Sequence, residues 1–91
     1  MRQLVVTSRF KKDYKQAKKR GLDMRLLQDV LQTLQDEEQL DEKYCDHALS
    51  GDYRGFRECH IQPDWLLIYA LSEQEAILVA QRTGTHSDLF D

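Results

Sequence analysis

The C-terminal half of the chain contains three apolar segments separated by tight turns, and no other feature constrains the fold as much. The segments span residues 53–61, 65–71 and 76–82, and the turns are 62–64 and 72–75. Aromatic and β-branched residues favour strands, whereas Pro, Asp and Ser favour turns. Because short turns pair neighbouring strands in opposite directions, the sequence predicts a three-stranded antiparallel meander.

The N-terminal half predicts a short strand over residues 3–7 followed by two helices. Ser8 is the expected N-cap of the first helix, and Gly21 is expected to end it. Asp23 is the expected cap of a second helix over residues 24–38. One helical hairpin covering the meander gives an α+β sandwich. The apolar stripes are Phe10, Tyr14 and Ala17 on the first helix, and Leu27, Val30, Leu31 and Leu34 on the second.

Length and composition predict a single domain over residues 1–91. Hydrophobic residues make up 41% and charged residues 32% of the chain, which is typical of a soluble globular domain. No apolar run approaches the roughly 20 residues of a membrane span, so no membrane partner is expected. Cys45 and Cys59 have neither metal-ligand spacing nor a secreted context. We therefore expect reduced thiols and a cytoplasmic location.

Charge is distributed very unevenly along the chain. The net charge of −3 alone argues against a nucleic-acid binder, but residues 1–25 hold nine basic and two acidic residues. Residues 26–91 hold four basic and fourteen acidic ones. Such asymmetry suggests a charged partner, although a run of lysines is by default a solvated face. The first helix is expected to present one lysine face, formed by Lys11, Lys12, Lys15, Lys18 and Lys19.

Strand order brings distant polar residues together at one rim of the predicted sheet. In an antiparallel meander, the end of the first strand, the start of the second and the end of the third all lie at the same rim of the sheet. Strand order alone does not predict where His47 lies relative to this rim. The residues expected to gather there are His60, Asp64, Trp65, Arg82 and His86.

These residue types suit the cleavage of RNA by its own 2′-hydroxyl. Histidine can serve as acid or base near neutral pH, and arginine matches the charge and shape of phosphate. Trp65 or Phe90 could stack on an unpaired base. A metal is not expected, because the histidines lack helical ligand spacing and no cysteine pair supports them.

Each of these residues also has a structural interpretation. His60 could be an ordinary strand histidine, and Asp64 after Pro63 could be only a turn residue. Trp65 at a strand start is more often core than a base platform. Arg82 could pair across strands with Glu58 or with Asp64. The functional hypothesis therefore depends on the expected convergence of these side chains rather than on any one of them.

Three motifs in this order resemble the YafQ toxins of the RelE superfamily. They are D-H-x-L-x-G at 46–51, H-x-x-P-D-W at 60–65 and R-T-G-T-H-x-x-L-F at 82–90. The resemblance covers nearly the whole chain. It implies a small RelE-like, microbial-ribonuclease-like α+β domain and an endoribonuclease that cuts mRNA in the ribosomal A site without a metal or cofactor.

The same resemblance implies roles for individual residues. His86 matches the general acid, Asp64 is a candidate base that His60 could assist, and Arg82 would stabilise the charged phosphorane. The positions that match catalytic residues of the family are His47, His60, Asp64 and His86. Those that match residues holding the RNA are Trp65, Arg82 and Phe90.

A toxin of this family implies a cognate antitoxin resembling DinJ or RelB, with a DNA-binding N-terminal half. Operator DNA would be reached only through the complex of toxin and antitoxin. The lysine face of the first helix could contact ribosomal RNA or acidic antitoxin residues. Two alternatives stay open: an inactive toxin-fold module that acts as antitoxin partner and co-repressor, and a ribosome-independent ribonuclease.

Overall fold

Five strands and three helices make up the chain, and the structure, a computed structural model, describes all of residues 1–91. The α+β class predicted from the sequence is confirmed. Two short 3-10 helices, Glu42–Tyr44 and Gly51–Tyr53, flank the second strand. In chain order the main elements are β1 (Gln3–Val6), α1 (Ser8–Lys19), α2 (Met24–Gln35), β2 (His47–Ala48), β3 (Arg57–Gln62), β4 (Trp65–Ser72), β5 (Ile77–Gly84) and α3 (His86–Phe90).

The strands form one mixed sheet in the order β1-β5-β4-β3-β2. The predicted meander is confirmed, since β3, β4 and β5 pair antiparallel in sequence order. β1 joins the outer side of β5 in parallel. The two-residue strand β2 was not predicted, and it pairs with β3 so that His47 lies opposite Glu58. β3 starts later than expected because a 3-10 helix and Gly55, with φ of 94°, precede it.

The helix boundaries follow local capping chemistry. Thr7, not Ser8 as predicted, caps α1, because its side-chain oxygen accepts a first-turn backbone N–H at 2.9 Å. Gly21 ends α1 with φ of 81°, a left-handed conformation that glycine adopts without strain. Asp23 caps α2 as predicted. α2 is shorter than predicted because Glu37 also takes a left-handed φ of 61°.

The main core lies between the sheet and the two long helices. Leu27 and Val30 of α2 are fully buried against Leu67 and Leu78 of the sheet. Burying one such side chain stabilises the fold by roughly 1.5–3 kcal/mol. Helices α1, α2 and α3 all lack the length and apolar character needed to cross a bilayer. Helix α2 packs on one face of the sheet, so the candidate site can lie only on the opposite face or at the rim.

Trp65 belongs to this core. Its side chain faces the helices, as do Leu67 and Tyr69 at alternate positions of β4, and only 2% of it is exposed. The indole N–H donates to Thr83 Oγ1 at 3.0 Å. The expected role of Trp65 as a base platform is therefore wrong, because its side chain is almost completely buried, and the structural interpretation of Trp65 as a core residue is confirmed.

The opposite face of the sheet is covered only in part. Leu66 and Ile68 of β4 pack under Leu89 of α3 there, and Tyr53 and Phe56 cover their flank. This second cluster is small, with three fully buried members. It anchors α3 and leaves the neighbouring part of that face to polar side chains.

β5 extends past the end of β1, and side chains from the start of α1 cover the exposed edge. β1 pairs with β5 only as far as Ala80. Beyond that point Thr7 Oγ1 donates to the Gln81 carbonyl at 2.8 Å, and Asp13 accepts the Thr83 N–H at 3.2 Å. A covered edge cannot pair with another chain. The same contacts hold the C-terminal end of β5, from which α3 begins.

Candidate active site

All three histidines of the chain lie side by side next to the second cluster. His47 of β2 and His60 of β3 have ring centroids 6.5 Å apart, and His60 and His86 of α3 have centroids 5.6 Å apart. His60 and His86 meet as the meander predicted. His47 joins them through the β2–β3 pairing, which the sequence did not predict.

Asp64 in the β3–β4 turn holds His86 from one side. Its Oδ1 accepts the backbone N–H of His86 at 3.0 Å and lies 2.6 Å from the ring Nδ1. The backbone hydrogen bond, then the ring contact, lowers the pKa of Asp64 below its usual value. A carboxylate only accepts hydrogen bonds, so Nδ1 carries the proton and Nε2 is left to face a substrate.

Glu58 on β3 lies between the other two histidines, and sequence reasoning missed it as a site residue. Its side chain is only 6% exposed, and Oε1 lies 3.3 Å from His60 Nε2 and 3.7 Å from His47 Nε2. The strand period could have indicated it, because Glu58 is two residues before His60 and so shares its face. A buried carboxylate of this kind requires partners, and the two imidazoles supply them.

His47 is positioned by contacts of the residues just before it. Asp46 accepts the Tyr69 hydroxyl at 2.6 Å and also binds Arg57 at 3.3 Å. Burial, followed by the bond to Asp46, raises the pKa of Tyr69. His47 Nδ1 lies 2.9 Å from the Cys45 carbonyl. The loop that carries His47 is therefore tied to both β3 and β4.

Arg82 does not reach the histidines. Its Nε and one terminal nitrogen donate to the two oxygens of Asp13 on α1, both at 3.0 Å, and the side chain is 14% exposed. The bond to Asp13 raises the pKa of Arg82. The structural interpretation of Arg82 named Glu58 or Asp64 as its partner, and both assignments are wrong. The partner is Asp13, which lies on α1 against the edge of β5.

The remaining predicted RNA contacts lie on the surface. Phe90 is 47% exposed and packs edge-on against Tyr53, with centroids 5.7 Å apart. An exposed ring on the helix that carries His86 could stack on a base. The predicted lysine face is fully exposed, and no ion pair engages any of its members, Lys11, Lys12, Lys15, Lys18 and Lys19.

The site also contains a set of atoms that could bind a metal ion. One ligand atom each from Glu58, His60 and His86 lies within 4.8 Å of the others. Imidazole nitrogen with carboxylate oxygen suits zinc or copper. The sequence argued against a metal because these residues lack helical spacing, but the pairing of β3 with β4 and the position of α3 bring them together.

Comparison with known proteins places the chain among toxins. The family model for the bacterial toxin of type II toxin–antitoxin systems, YafQ, matches residues 2–91. The chain belongs to the YafQ family. It is 39% identical over 90 residues to the mRNA interferase toxin YafQ of Escherichia coli K12, covering 98% of this chain and 96% of the relative.

Solved structures of bacterial toxins share the whole architecture. YafQ in the E. coli DinJ–YafQ complex superposes with a TM-score of 0.90 at 38% identity, covering 100% of both chains. A metal-bound toxin from Helicobacter pylori superposes with a TM-score of 0.93 at 43% identity, covering 99% of this chain and 100% of that one. The mixed sheet and two long helices are therefore those of the YafQ fold.

Proposed function

We propose that this YafQ-family toxin is an endoribonuclease that cuts translated mRNA by attack of the 2′-hydroxyl on the adjacent phosphate. The observation that carries the proposal is the contact between Asp64 and His86, 2.6 Å long, beside the Glu58–His60 pair. Two histidine–carboxylate pairs side by side supply both an acid and a base. Family membership supports the same activity, since the E. coli relative is an mRNA interferase.

His86 serves as the general acid in this mechanism. Asp64 accepts the Nδ1–H and the backbone N–H of His86, which leaves Nε2 free for the substrate. In the doubly protonated ring, Nε2–H gives its proton to the departing 5′-oxygen, and the ring is left neutral with its proton on Nδ1. The lowered pKa of Asp64 keeps the carboxylate charged across neutral pH. Asp64 therefore fits an orienting role better than that of a base, because its contact oxygen is already engaged by His86.

The Glu58–His60 pair is the group we assign to take up the 2′-hydroxyl proton. The two side chains are 3.3 Å apart, close enough for a proton to pass between them. His47, 3.7 Å from the same carboxylate, can add positive charge near the phosphorane. No step of this mechanism requires a metal.

We assign to Arg82 the binding of an RNA phosphate beside the histidines rather than stabilisation of the phosphorane, because Asp13 holds its guanidinium. Asp13 engages two of the five guanidinium N–H donors, which leaves the others for a phosphate oxygen. Phe90, exposed on the same short helix as His86, can stack on a neighbouring base. We expect both residues to hold RNA rather than to transfer protons.

The lysine face is the surface we propose for ribosomal RNA, since it concentrates unpaired positive charge on one side of α1. Phosphate contacts made by lysines supply affinity without sequence specificity. The cognate antitoxin, which we expect to resemble DinJ, would cover the same lysines with acidic residues. Its DNA-binding half would carry the complex to operator DNA, and occlusion of the ribosome surface would explain neutralisation.

A cleavage assay with programmed ribosomes tests the proposal. The wild-type chain should cut mRNA on the ribosome, His86→Ala should lose this activity, and Ser87→Ala, an exposed neighbour of His86, should keep it. Equal cleavage of naked RNA would instead support a ribosome-independent ribonuclease. A wild-type chain that cuts neither RNA but binds its antitoxin would support the inactive co-repressor.

A further inference from the structure

Helix α3, which carries His86, has a second attachment besides the contact with Asp64. We propose that Arg20 at the end of α1 and Asp88 of α3 form a latch that positions His86 for proton transfer. This inference rests on the proposed ribonuclease function and assigns two positioning residues to it.

The latch centres on the Asp88 carboxylate. Asp88 Oδ2 accepts Arg20 Nη1 at 2.7 Å and the Thr85 backbone N–H at 3.0 Å, and Oδ1 lies 3.3 Å from Arg20 Nη2. In return, Thr85 Oγ1 accepts the Asp88 N–H at 3.1 Å. This reciprocal capping box fixes the first turn of α3. Arg20 thus ties the turn that contains His86 directly to α1.

Gly84 shows how closely Asp88 is held against the end of β5. A Cβ added at Gly84 would lie 2.9 Å from both Cβ and Oδ2 of Asp88, closer than real Cβ atoms approach. Only glycine therefore lets the carboxylate sit at this point between β5 and Arg20. The absence of a side chain at Gly84 therefore lets Asp88 reach Arg20 while α3 stays close to the end of β5.

The charge state of Asp88 suits this role. The hydrogen bond from Arg20, followed by that from Thr85, holds the pKa of Asp88 well below its usual range. Arg20 in turn has a raised pKa because of Asp88. Both groups therefore stay charged near neutral pH, and the latch stays closed there.

His86 is consequently held from two directions, by Asp64 on the β3–β4 turn and by Arg20 through Asp88. α3 has only five residues, and a helix of this length is not stable by itself. Without the Arg20 contact, Asp64 would still hold His86 and the core contacts would still attach the far end of α3, but the first turn would lose its tie to α1. A displacement of the acid by about 1 Å can lower a rate as much as 10²-fold.

A direct contact between Arg20 and RNA is the alternative. Arg20, Asp64 and Asp88 all line one cleft of about 660 Å³ beside the site, so RNA could pass close to the guanidinium. Loss of an RNA contact would raise the ribosome concentration that half-saturates cleavage. Loss of a positioning contact would lower the maximal rate. The two roles therefore differ in the kinetic parameter that they change.

The test compares Arg20→Met and Arg20→Lys with the matched control Arg25→Met, which breaks an exposed pair with Asp23 on α2. Single-turnover cleavage is measured against ribosome concentration. We expect Arg20→Met to lower the maximal rate about tenfold with an unchanged half-saturating concentration. Arg20→Lys should restore part of the loss, and Arg25→Met should match wild type.

Proton NMR of the isolated chain supplies a second readout that is independent of catalysis. The hydrogen-bonded Nδ1–H of His86 should broaden in Arg20→Met and stay as in wild type in Arg25→Met. The cleavage rate of the double variant Arg20→Met with Asp88→Asn should be no lower than that of Arg20→Met alone, since both substitutions break the same contact. Circular dichroism confirms that each variant is folded.

Three results would overturn the latch: an unchanged rate and an unchanged signal in Arg20→Met, a higher half-saturating concentration with an unchanged signal, or fully additive losses in the double variant. If the wild-type chain does not cleave RNA, the proposed function fails, but the NMR comparison still decides whether Arg20 positions His86.

Discussion

The two histidine–carboxylate pairs of the site differ in how the fold holds them. Asp64 and His86 are both more than half exposed, and they join a turn to a short helix at 2.6 Å. Glu58 and His60 lie on one strand at 3.3 Å, and Glu58 is almost completely buried. The first pair depends on separate elements being fixed in place, whereas the second is built into the sheet.

This difference indicates a division of labour. A general acid must reach the leaving oxygen, which an exposed ring at the start of α3 can do. A base that shares its proton with a buried carboxylate gains from the rigidity of β3 and from low local dielectric. The proposed latch at Arg20 would make the exposed Asp64–His86 pair as rigid as β3 makes the Glu58–His60 pair.

Replacing each histidine by alanine gives the largest expected effect and tests whether the pairs are distinct. We expect His86→Ala and His60→Ala each to lower the maximal cleavage rate by about 10²–10⁴-fold, because each removes one side of acid–base catalysis. In pH–rate profiles, each variant should lose a different limb. Loss of the same limb in both would mean that the two histidines do not have separate roles.

Glu58→Gln tests the buried pair without a large change in shape. Loss of a charge-assisted hydrogen bond of about 1.5–3 kcal/mol corresponds to a rate roughly 10–100-fold lower. The matched variant Glu75→Gln, in the exposed turn before β5, should show no change. A Glu58→Gln rate equal to wild type would remove Glu58 from the mechanism.

Asp64 titration tests the exposed pair. Its pKa is lowered, so the contact with His86 is complete above the ordinary value of 3.8 and is lost only as pH falls through the lower folded value. The Asp64 carboxyl carbon, followed by NMR, should therefore show no titration between about pH 5 and 8. Titration within that range would exclude a permanently charged orienting group.

Asp64→Asn should lower the cleavage rate about tenfold, since an amide keeps an acceptor for His86 but not the charge. The loss should be smaller than that in His86→Ala, because Asp64 only orients the ring. A loss as large as that of His86→Ala would restore Asp64 as a candidate base.

Trp65→Phe gives the smallest expected effect on cleavage. Removing the indole N–H bond to Thr83 should lower the free energy of unfolding by about 1–3 kcal/mol, measured in urea, with little change in rate. Phe90→Ala, in contrast, should weaken ribosome binding and leave stability nearly unchanged. A Trp65→Phe variant with normal stability and reduced RNA binding would contradict the core position.

Much of the architecture was predictable because it depends on local signals. Turn residues at 62–64 specify the β3–β4 hairpin, and the left-handed Gly21 ends α1. Even the meeting of His60 with His86 follows from strand order. The cap of α1 was assigned one residue too late because Thr7 and Ser8 have the same chemistry, and only geometry chooses between them.

The sequence by itself determined the α+β class, the meander and the meeting of His60, Asp64 and His86 near its rim, since each follows from period, turn chemistry or strand order. Only the tertiary structure decided which side chains meet. Asp13 takes Arg82, β2 brings His47 to Glu58, and Arg20 reaches Asp88, 68 residues along the chain. Those pairings depend on how α1 packs against β5 and on where β2 joins the sheet. Neither can be predicted from local sequence patterns, because both depend on contacts between residues far apart in the chain.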